Sequence, residues 1–189
     1  MRWIWIDNFL DFESKKSARA VKNLTLAEDH YAEHFPGFPV MPATLMLEGL
    51  AQTGGILVGE ANDFREKVVL AKINSARFHR EAIAGERLIY EVELLVLRDE
   101  GASVRGVVKV EHPGANGDSG NIGTESIRAE TIGEAEIFFA HLDQSMSQEV
   151  FGDKNFVFTG ELKNLLGLAR LQAEKSRPVD SPDDQGTTQ

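Results

Sequence analysis

Two side chains in the first third of the sequence have the types and surroundings that acid–base chemistry requires. His34 stands before a run rich in proline and glycine. Its imidazole can accept or deliver a proton near neutral pH. Glu48 lies within a long apolar stretch, where an ionised carboxylate without a partner is unfavourable. A base and an acid of these types would suit removal of a proton beside a carbonyl group and loss of a hydroxyl from the next carbon.

The segment between them predicts a site for a negatively charged oxygen. Three prolines and a glycine between Phe35 and Pro42 exclude regular structure there. Pro42 suits the first turn of a helix, so the backbone amides of Ala43 and Thr44 are expected to be free. Free amides and the positive end of the helix dipole can stabilise a carbonyl oxygen that gains negative charge.

Simpler roles are open for both side chains. A histidine near prolines is commonly a turn residue that bonds the backbone. Glu48 could belong to a buried structural network with Thr44 and Gln52, which lie on the same helix face at intervals of four residues. The other histidines have no metal-like spacing with carboxylates, so neither a metal nor a cofactor is predicted; they are His30, His79, His112 and His141.

The elements that must position these residues are one buried helix and several long strands. Residues 42–59 are apolar around nearly the whole circumference, which is typical of a buried helix, with Gly54 and Gly55 as a weak point. Alternation predicts strands at 17–27, 68–80, 86–98, 103–110 and 127–141. The apolar residues of 1–12 indicate a helical turn or an edge piece. Together these predict an α+β fold, an antiparallel sheet wrapped around one helix.

The chain is expected to form one main domain with an appendage. We assign residues 1–145 to the domain and read 111–126 as a glycine-rich loop, which lacks the ending of a phosphate-binding loop. Residues 146–189 form a C-terminal extension, with an amphipathic helix at 161–177 and a disordered polar tail from 178.

Composition narrows the classes of function. The formal net charge of −10 argues against a nucleic-acid partner. No run approaches the roughly 20 apolar residues of a spanning helix, and the first residues do not read as a signal peptide, so no membrane partner is predicted. The sequence has no cysteine, which excludes disulfides and a cysteine nucleophile and fits a cytoplasmic location.

The run from His34 to Gln52, HFPGFPVMPATLMLEGLAQ, closely resembles the signature of the 3-hydroxyacyl-acyl-carrier-protein dehydratases of bacterial fatty-acid synthesis, the FabZ/FabA group. Residues 72–88 and 133–137 also resemble segments of that family. The resemblance implies the hotdog fold, a curved antiparallel sheet around one long central helix. It also implies a homodimer or a trimer of dimers, with sites at the dimer interface. A glutamate at position 48 is similar to the FabZ type; the FabA type has aspartate there.

The resemblance also implies roles for single residues. His34 would remove the C2 proton of a (3R)-3-hydroxyacyl thioester, and Glu48 of the other subunit would help the hydroxyl to leave as water. The carbonyl of Val40 would orient the imidazole, the amide of Ala43 would hold the thioester carbonyl, and Gln52 would position Glu48. Apolar walls for the acyl chain are expected from Phe35, Ile73 and Phe78. An acidic acyl-carrier protein would meet a local basic cluster of Lys67, Lys72, Arg77 and Arg80; an ordinary solvated face is equally compatible with these charges.

The chain departs from the family pattern at a few places. Ala43 stands where glycine is usual, and Phe38 where histidine is common. The 111–126 loop and the C-terminal extension are not typical of the compact enzymes. Two alternatives therefore stay open: a hotdog acyl-thioesterase, which would release free acid, and a catalytically silent hotdog subunit that binds acyl thioesters.

Overall fold

The computed structural model describes residues 3–112, 128–142 and 160–175. Strands and helices alternate along these ranges in the following order: β1 (Asn8–Glu13), β2 (Ser17–Asn23), α1 (His30–Glu33), β3 (Val40–Met41), α2 (Ala43–Ala61), β4 (Lys67–Phe78), β5 (Ala82–Ile83), β6 (Arg87–Arg98), β7 (Gly101–His112), β8 (Arg128–Leu142) and α3 (Gly160–Lys175).

Six of the strands form one sheet in the order β1-β2-β6-β7-β8-β4, and every neighbouring pair is antiparallel. Strands β3 and β5 form a separate two-stranded ladder beside the start of α2. The prediction of no regular structure between Phe35 and Pro42 is therefore wrong for Val40 and Met41, which lie between the prolines and keep their backbone N–H groups. Helix α2 packs across the large sheet, and its segment from Gly49 to Gly59 is buried throughout. The predicted α+β arrangement, an antiparallel sheet around one buried helix, is therefore confirmed.

The alternation in β6 explains which face of the sheet meets α2. Leu88, Tyr90 and Val92 are buried, and Tyr90 pairs with the buried Val108 on β7. Glu91 and Glu93 lie on the opposite face, because successive side chains of a strand point to opposite sides. From Tyr90 to Glu93 the period of two thus separates a core face from a charged face, whereas Ile89, on the same face as the glutamates, is itself buried.

Helix α2 approaches this core face closely at two of its glycines. A Cβ on Gly49 would stand 2.3 Å from the Cζ of Tyr90, and one on Gly54 would stand 3.1 Å from a methyl group of Val104. The helix continues without interruption through Gly54 and Gly55, which the sequence indicated as a weak point. At Gly49 this close packing requires glycine, whereas at Gly54 a side chain would need the Val104 methyl group to give by a few tenths of an ångström.

The two edges of the sheet differ. Helix α3 covers β1 and buries Leu162 and Leu166 in the core, so the predicted apolar segment 1–12 contains a covered edge strand. Among the described strands, β4 pairs only with β8, and its residues 70–77 are exposed, including Leu70 at 42 % and Ile73 at 41 %. A long free edge of this kind is a ready template for pairing with another chain.

Several sequence-based expectations lie outside the described residues. These are the loop at 111–126 beyond His112, the beginning of the C-terminal extension, and the polar tail. Within the described ranges, no helix combines the length and apolar character needed to cross a membrane.

Candidate active site

His34 ends the short helix α1 and begins a tightly bonded turn. Its backbone N–H donates to the carbonyl of His30 at 3.0 Å, and its carbonyl accepts the N–H of Val40 at 3.0 Å. Between these points, Phe35 and Phe38 exchange two backbone hydrogen bonds of 3.1 and 2.9 Å. The backbone on both sides of the histidine is therefore fixed, while the half-buried imidazole stacks on the Phe35 ring with centroids 4.1 Å apart.

The predicted hydrogen bond from the imidazole N–H of His34 to the Val40 carbonyl is not among the contacts of the described residues. The link that the structure shows runs between backbone atoms, from the N–H of Val40 to the carbonyl of His34. The role of the Val40 carbonyl therefore stays a prediction.

The start of α2 provides free amides. Pro42 is the N-cap with φ −56° and ψ 136°, and its carbonyl accepts the N–H groups of Leu45 and Met46. Across the described chain, no acceptor lies within hydrogen-bonding distance of the amides of Ala43 and Thr44, and both residues are exposed. Ala43 keeps an ordinary negative φ, so alanine meets no backbone strain where the resembled family has glycine.

Glu48 lies one and a half turns further along α2, half-buried at the boundary between core and solvent. Its Oε1 atom accepts two hydrogen bonds: one from Nε2 of Gln52 at 2.9 Å and one from the indole Nε1 of Trp3 at 3.2 Å. The structure thus brings Gln52 to Glu48, as the four-residue spacing predicted. Trp3 was not predicted, because a contact across 45 residues leaves no periodic signal in the sequence.

Gln52 also ties the N-terminal segment to the helix. Its Nε2 donates to the carbonyl of Trp3 at 3.2 Å, and its Oε1 accepts the backbone N–H of Trp5 at 2.8 Å. The buried amide therefore uses both of its ends, which is what a buried side chain of this type requires. Segment 3–5 is held beside the polar stripe of α2 as a result.

The three residues predicted as acyl-chain walls lie in different places. Phe35 is exposed and lines a cavity of about 370 Å³ together with Tyr31 and Pro39. Ile73 is exposed on the free strand β4, and Phe78 packs its ring against Gly133 of β8. Within one chain, the structure places only Phe35 next to His34.

The predicted basic cluster divides into paired and unpaired residues. Arg80 forms ion pairs with Glu86 and Glu130, both at 3.0 Å, and these carboxylates raise the pKa of its guanidinium. Lys67 also has an interaction partner. Lys72 and Arg77 are exposed on β4, without an ion pair to any described residue. A carrier contact on this strand would therefore depend on Lys72 and Arg77.

A second polar cluster, which the sequence did not reveal, lies behind His34. His30 is 7 % exposed, and neither ring nitrogen makes a hydrogen bond to a described residue, although Nδ1 lies 3.8 Å from a carboxylate oxygen of Glu28; the indole N–H of Trp5 is also buried without a hydrogen bond. Burial lowers the pKa of the His30 imidazole. Both residues line a cavity of about 400 Å³, where the buried Lys22 pairs with Asp7 at 3.1 Å and Glu28 at 2.6 Å. A polar cavity of this size can hold water that satisfies these atoms.

Comparison with known proteins gives matches of two kinds, the first by sequence. The model of the FabA-like domain family matches residues 4–119. A 3-hydroxyacyl-acyl-carrier-protein dehydratase FabZ of Proteus mirabilis is 40 % identical over 113 residues, which are 58 % of this chain and 75 % of that protein. A FabZ of Koribacter versatilis is 37 % identical over 53 % of this chain and 66 % of its own length, slightly under two thirds. A FabZ of Listeria welshimeri is 33 % identical over 75 % of this chain and 87 % of that protein.

The second kind of match is by structure. The dehydratase heterocomplex ApeI:P of Xenorhabdus doucetiae superposes with a TM-score of 0.55 and 12 % identity, over 80 % of this chain and 91 % of that one. Cj0915, a hexameric hotdog fold thioesterase of Campylobacter jejuni, superposes with a TM-score of 0.50 and 14 % identity, over 78 % of this chain and 93 % of that one. These likenesses confirm the predicted hotdog fold.

Proposed function

The chain belongs to the FabA-like family, and we propose that it is a 3-hydroxyacyl-acyl-carrier-protein dehydratase of the FabZ type. It converts a (3R)-3-hydroxyacyl thioester to the trans-2-enoyl thioester in fatty-acid or related lipid biosynthesis. The names of the FabZ relatives support this activity. The proposal keeps the cytoplasmic location predicted from the sequence, and it includes no metal or cofactor in the reaction.

The observation that carries this proposal is the unequal hydrogen bonding of the two carboxyl oxygens of Glu48. Its Oε1 atom is held by two N–H donors, whereas Oε2 makes no hydrogen bond or ion pair with any described residue. Glu48 lies on the same helix as Ala43 and Thr44, whose backbone amides are free within the described chain. A carboxyl group fixed at one oxygen and open at the other suits proton transfer to a substrate hydroxyl.

The proposed chemistry is an elimination in which the atoms balance. The imidazole of His34 takes the C2 proton, and the electron pair of that C–H bond forms the C2–C3 double bond. The C3–O bond breaks, and the hydroxyl leaves as water with the proton of Glu48. The Ala43 amide stabilises the charge that develops on the thioester carbonyl oxygen. Proton exchange between the two residues through water then restores the starting state.

We propose that two copies of the chain complete the site. The free edge of β4 and its exposed Leu70 and Ile73 support pairing of two sheets across this strand. One protein of similar fold, Cj0915, is a hexameric thioesterase. For this chain we propose a homodimer or a trimer of dimers. His34 of one copy would then serve with Glu48 of the other.

The carrier protein is proposed to dock beside β4. Lys72 and Arg77 carry positive charge on an exposed strand of a chain with a net charge of −10. Local positive charge of this kind can steer an acidic partner despite the overall charge, and its effect weakens as salt screens it. Charge reversal at both positions should raise KM for carrier-linked substrate far more than KM for a small thioester. Size-exclusion chromatography should show that the variant keeps the assembly of the parent, because both positions lie on the strand proposed to pair two copies.

Two substitutions test the proposed reaction. We expect His34→Ala and Glu48→Gln each to abolish hydration of a crotonyl thioester, since each removes a group that the chemistry uses. His79→Ala and Glu33→Gln are matched controls, because they make the same changes at exposed positions outside the site. Circular dichroism should show the same fold for all four variants.

The outcomes separate the rival activities. Release of free thiol by the parent protein would indicate a thioesterase. No turnover of thioesters of any chain length would indicate a silent binding subunit. Full activity in either site variant would contradict the assigned roles.

A further inference from the structure

We infer that Trp3 is a positioning residue for the acid step: its indole N–H, together with Gln52, fixes Oε1 of Glu48 and leaves Oε2 to exchange the proton. This inference rests on the proposed dehydratase function. It assigns a role to an N-terminal side chain that lies outside the His34–Gln52 motif.

The first support is the distribution of hydrogen bonds over the carboxyl group. Nε1 of Trp3 and Nε2 of Gln52 both donate to Oε1, at 3.2 and 2.9 Å. Neither group can accept a proton from the carboxyl, because an indole N–H and an amide NH₂ are donors only. When the carboxyl is protonated, its proton therefore lies on Oε2, the oxygen that is free of contacts within the described ranges.

The second support is the way in which Trp3 itself is held. Its carbonyl accepts the Gln52 amide at 3.2 Å, and its ring packs edge-to-face on the buried Trp5, with centroids 5.8 Å apart at 89°. The backbone N–H of Trp5 donates to Gln52 at 2.8 Å. One glutamine thus sets the position of the carboxylate and of the segment that carries the second donor.

The third support is the exposure of the indole. The Trp3 side chain is 59 % exposed although it is large and apolar, and it lies against a carboxylate that the reaction uses. A tryptophan in this place provides an apolar surface for a substrate and a hydrogen-bond donor for the acid at the same time. A substrate that covers the ring would exclude water and strengthen the bond to Glu48.

The kinetic test removes the N–H and keeps an aromatic ring. Trp3→Phe is made in the parent protein, which is the reference for kcat and KM; a Trp5→Phe background is kept for the spectroscopic test alone, because the Trp5 ring packs on Trp3. We expect about a tenfold or larger fall in kcat relative to the reference, with KM changed far less, since a bond to a charged group is lost at the reacting carboxyl. Trp3→His, which can donate again, should recover part of the loss.

A spectroscopic test does not depend on turnover. In the Trp5→Phe background, Trp3 is the one remaining tryptophan of the sequence. Glu48→Gln should then change the emission maximum or intensity of Trp3, and crotonyl thioester should change it again on binding. The same substitution at the exposed Glu33 should leave the emission unchanged.

The outcomes distinguish this inference from the proposed function. If the reference enzyme is active and Trp3→Phe keeps its kcat, the positioning role is wrong while the dehydratase function stands. If the reference has no activity, the proposed function fails, and an emission that does not respond to Glu48→Gln overturns the Trp3 contact as well. A fall in kcat without rescue by histidine, together with an unresponsive emission, would also overturn it.

Discussion

Ala43 provides the sharpest test at the scale of single residues. It occupies the first position of α2, where its amide has no partner among the described residues. Proline is tolerated at this helix position, and Pro42 already has the extended ψ of 136° that a following proline requires. Ala43→Pro should therefore keep the helix and delete only the N–H.

The expected result of Ala43→Pro is a loss of kcat of roughly 10²- to 10³-fold, the usual effect of removing one oxyanion donor. Steady-state kinetics would measure it, with the melting temperature as a check on folding. Ala43→Gly keeps the N–H and should stay within about twofold of the parent. Equal activity of the proline variant would show that this amide does not hold the thioester carbonyl.

His30 should make the stability of the protein depend on pH. Burial lowers the pKa of its imidazole below the usual 6.5, although the nearby carboxylates of Glu28 and Asp29 oppose this. The unfolded chain therefore binds a proton that the folded chain does not, and the free energy of unfolding falls as the pH drops below about 6.5. The slope from one such group is at most about 1.4 kcal/mol per pH unit.

Urea denaturation at several pH values between 5 and 8 would measure this effect. His30→Asn removes the titrating group, so it should flatten the curve in this range. His79→Asn, at an exposed position, should leave the slope as it is in the parent. If the free energy of unfolding of His30→Asn changes with pH as steeply as that of the parent, a group other than His30 causes the pH dependence.

At the scale of elements, the contact between Gly49 of α2 and the Tyr90 ring of β6 determines how closely the helix that carries Glu48 packs on the sheet. Gly49 follows Glu48 directly, and a Cβ there would collide with the Tyr90 ring at 2.3 Å. Gly49→Ala should destabilise the fold by about 1–3 kcal/mol or more, because the buried ring must move. Gly167→Ala on α3 meets no atom within 4 Å and should stabilise by about 0.5–1 kcal/mol. Chemical denaturation of the two variants compares them, and equal effects would contradict the packing.

Most helices and strands could be predicted from the sequence, because the apolar residues whose spacing indicates an element, and the residues that begin or end it, are close together along the chain. The alternation in 86–98 predicted β6 to within one residue at its start, and Pro42 marked the start of α2. The strand predicted at 17–27 ends at Asn23: Leu24 still donates to the carbonyl of Glu86, and a turn follows in which the N–H of Glu28 donates to the carbonyl of Thr25. Trp3 and the buried His30 could not be predicted, since their surroundings come from segments that are distant in sequence.

At the scale of the whole molecule, the proposed interface site predicts complementation between inactive variants. A mixed dimer of His34→Ala and Glu48→Gln chains would contain one site with both native groups and one site with neither. Random exchange of subunits should therefore restore about one quarter of the parent activity. A mixture that stays inactive after confirmed subunit exchange would show that His34 and Glu48 of the same chain serve each other.

The central claim is that this chain removes water from a 3-hydroxyacyl thioester and leaves the thioester intact. Intact-mass spectrometry of an acyl-carrier protein loaded with (3R)-3-hydroxybutyrate, before and after incubation with the purified protein, tests it most directly. We expect a product lighter by one water molecule, formed by the parent protein and by neither His34→Ala nor Glu48→Gln. A carrier that loses its whole acyl group, or one that stays unchanged at every chain length, would contradict it.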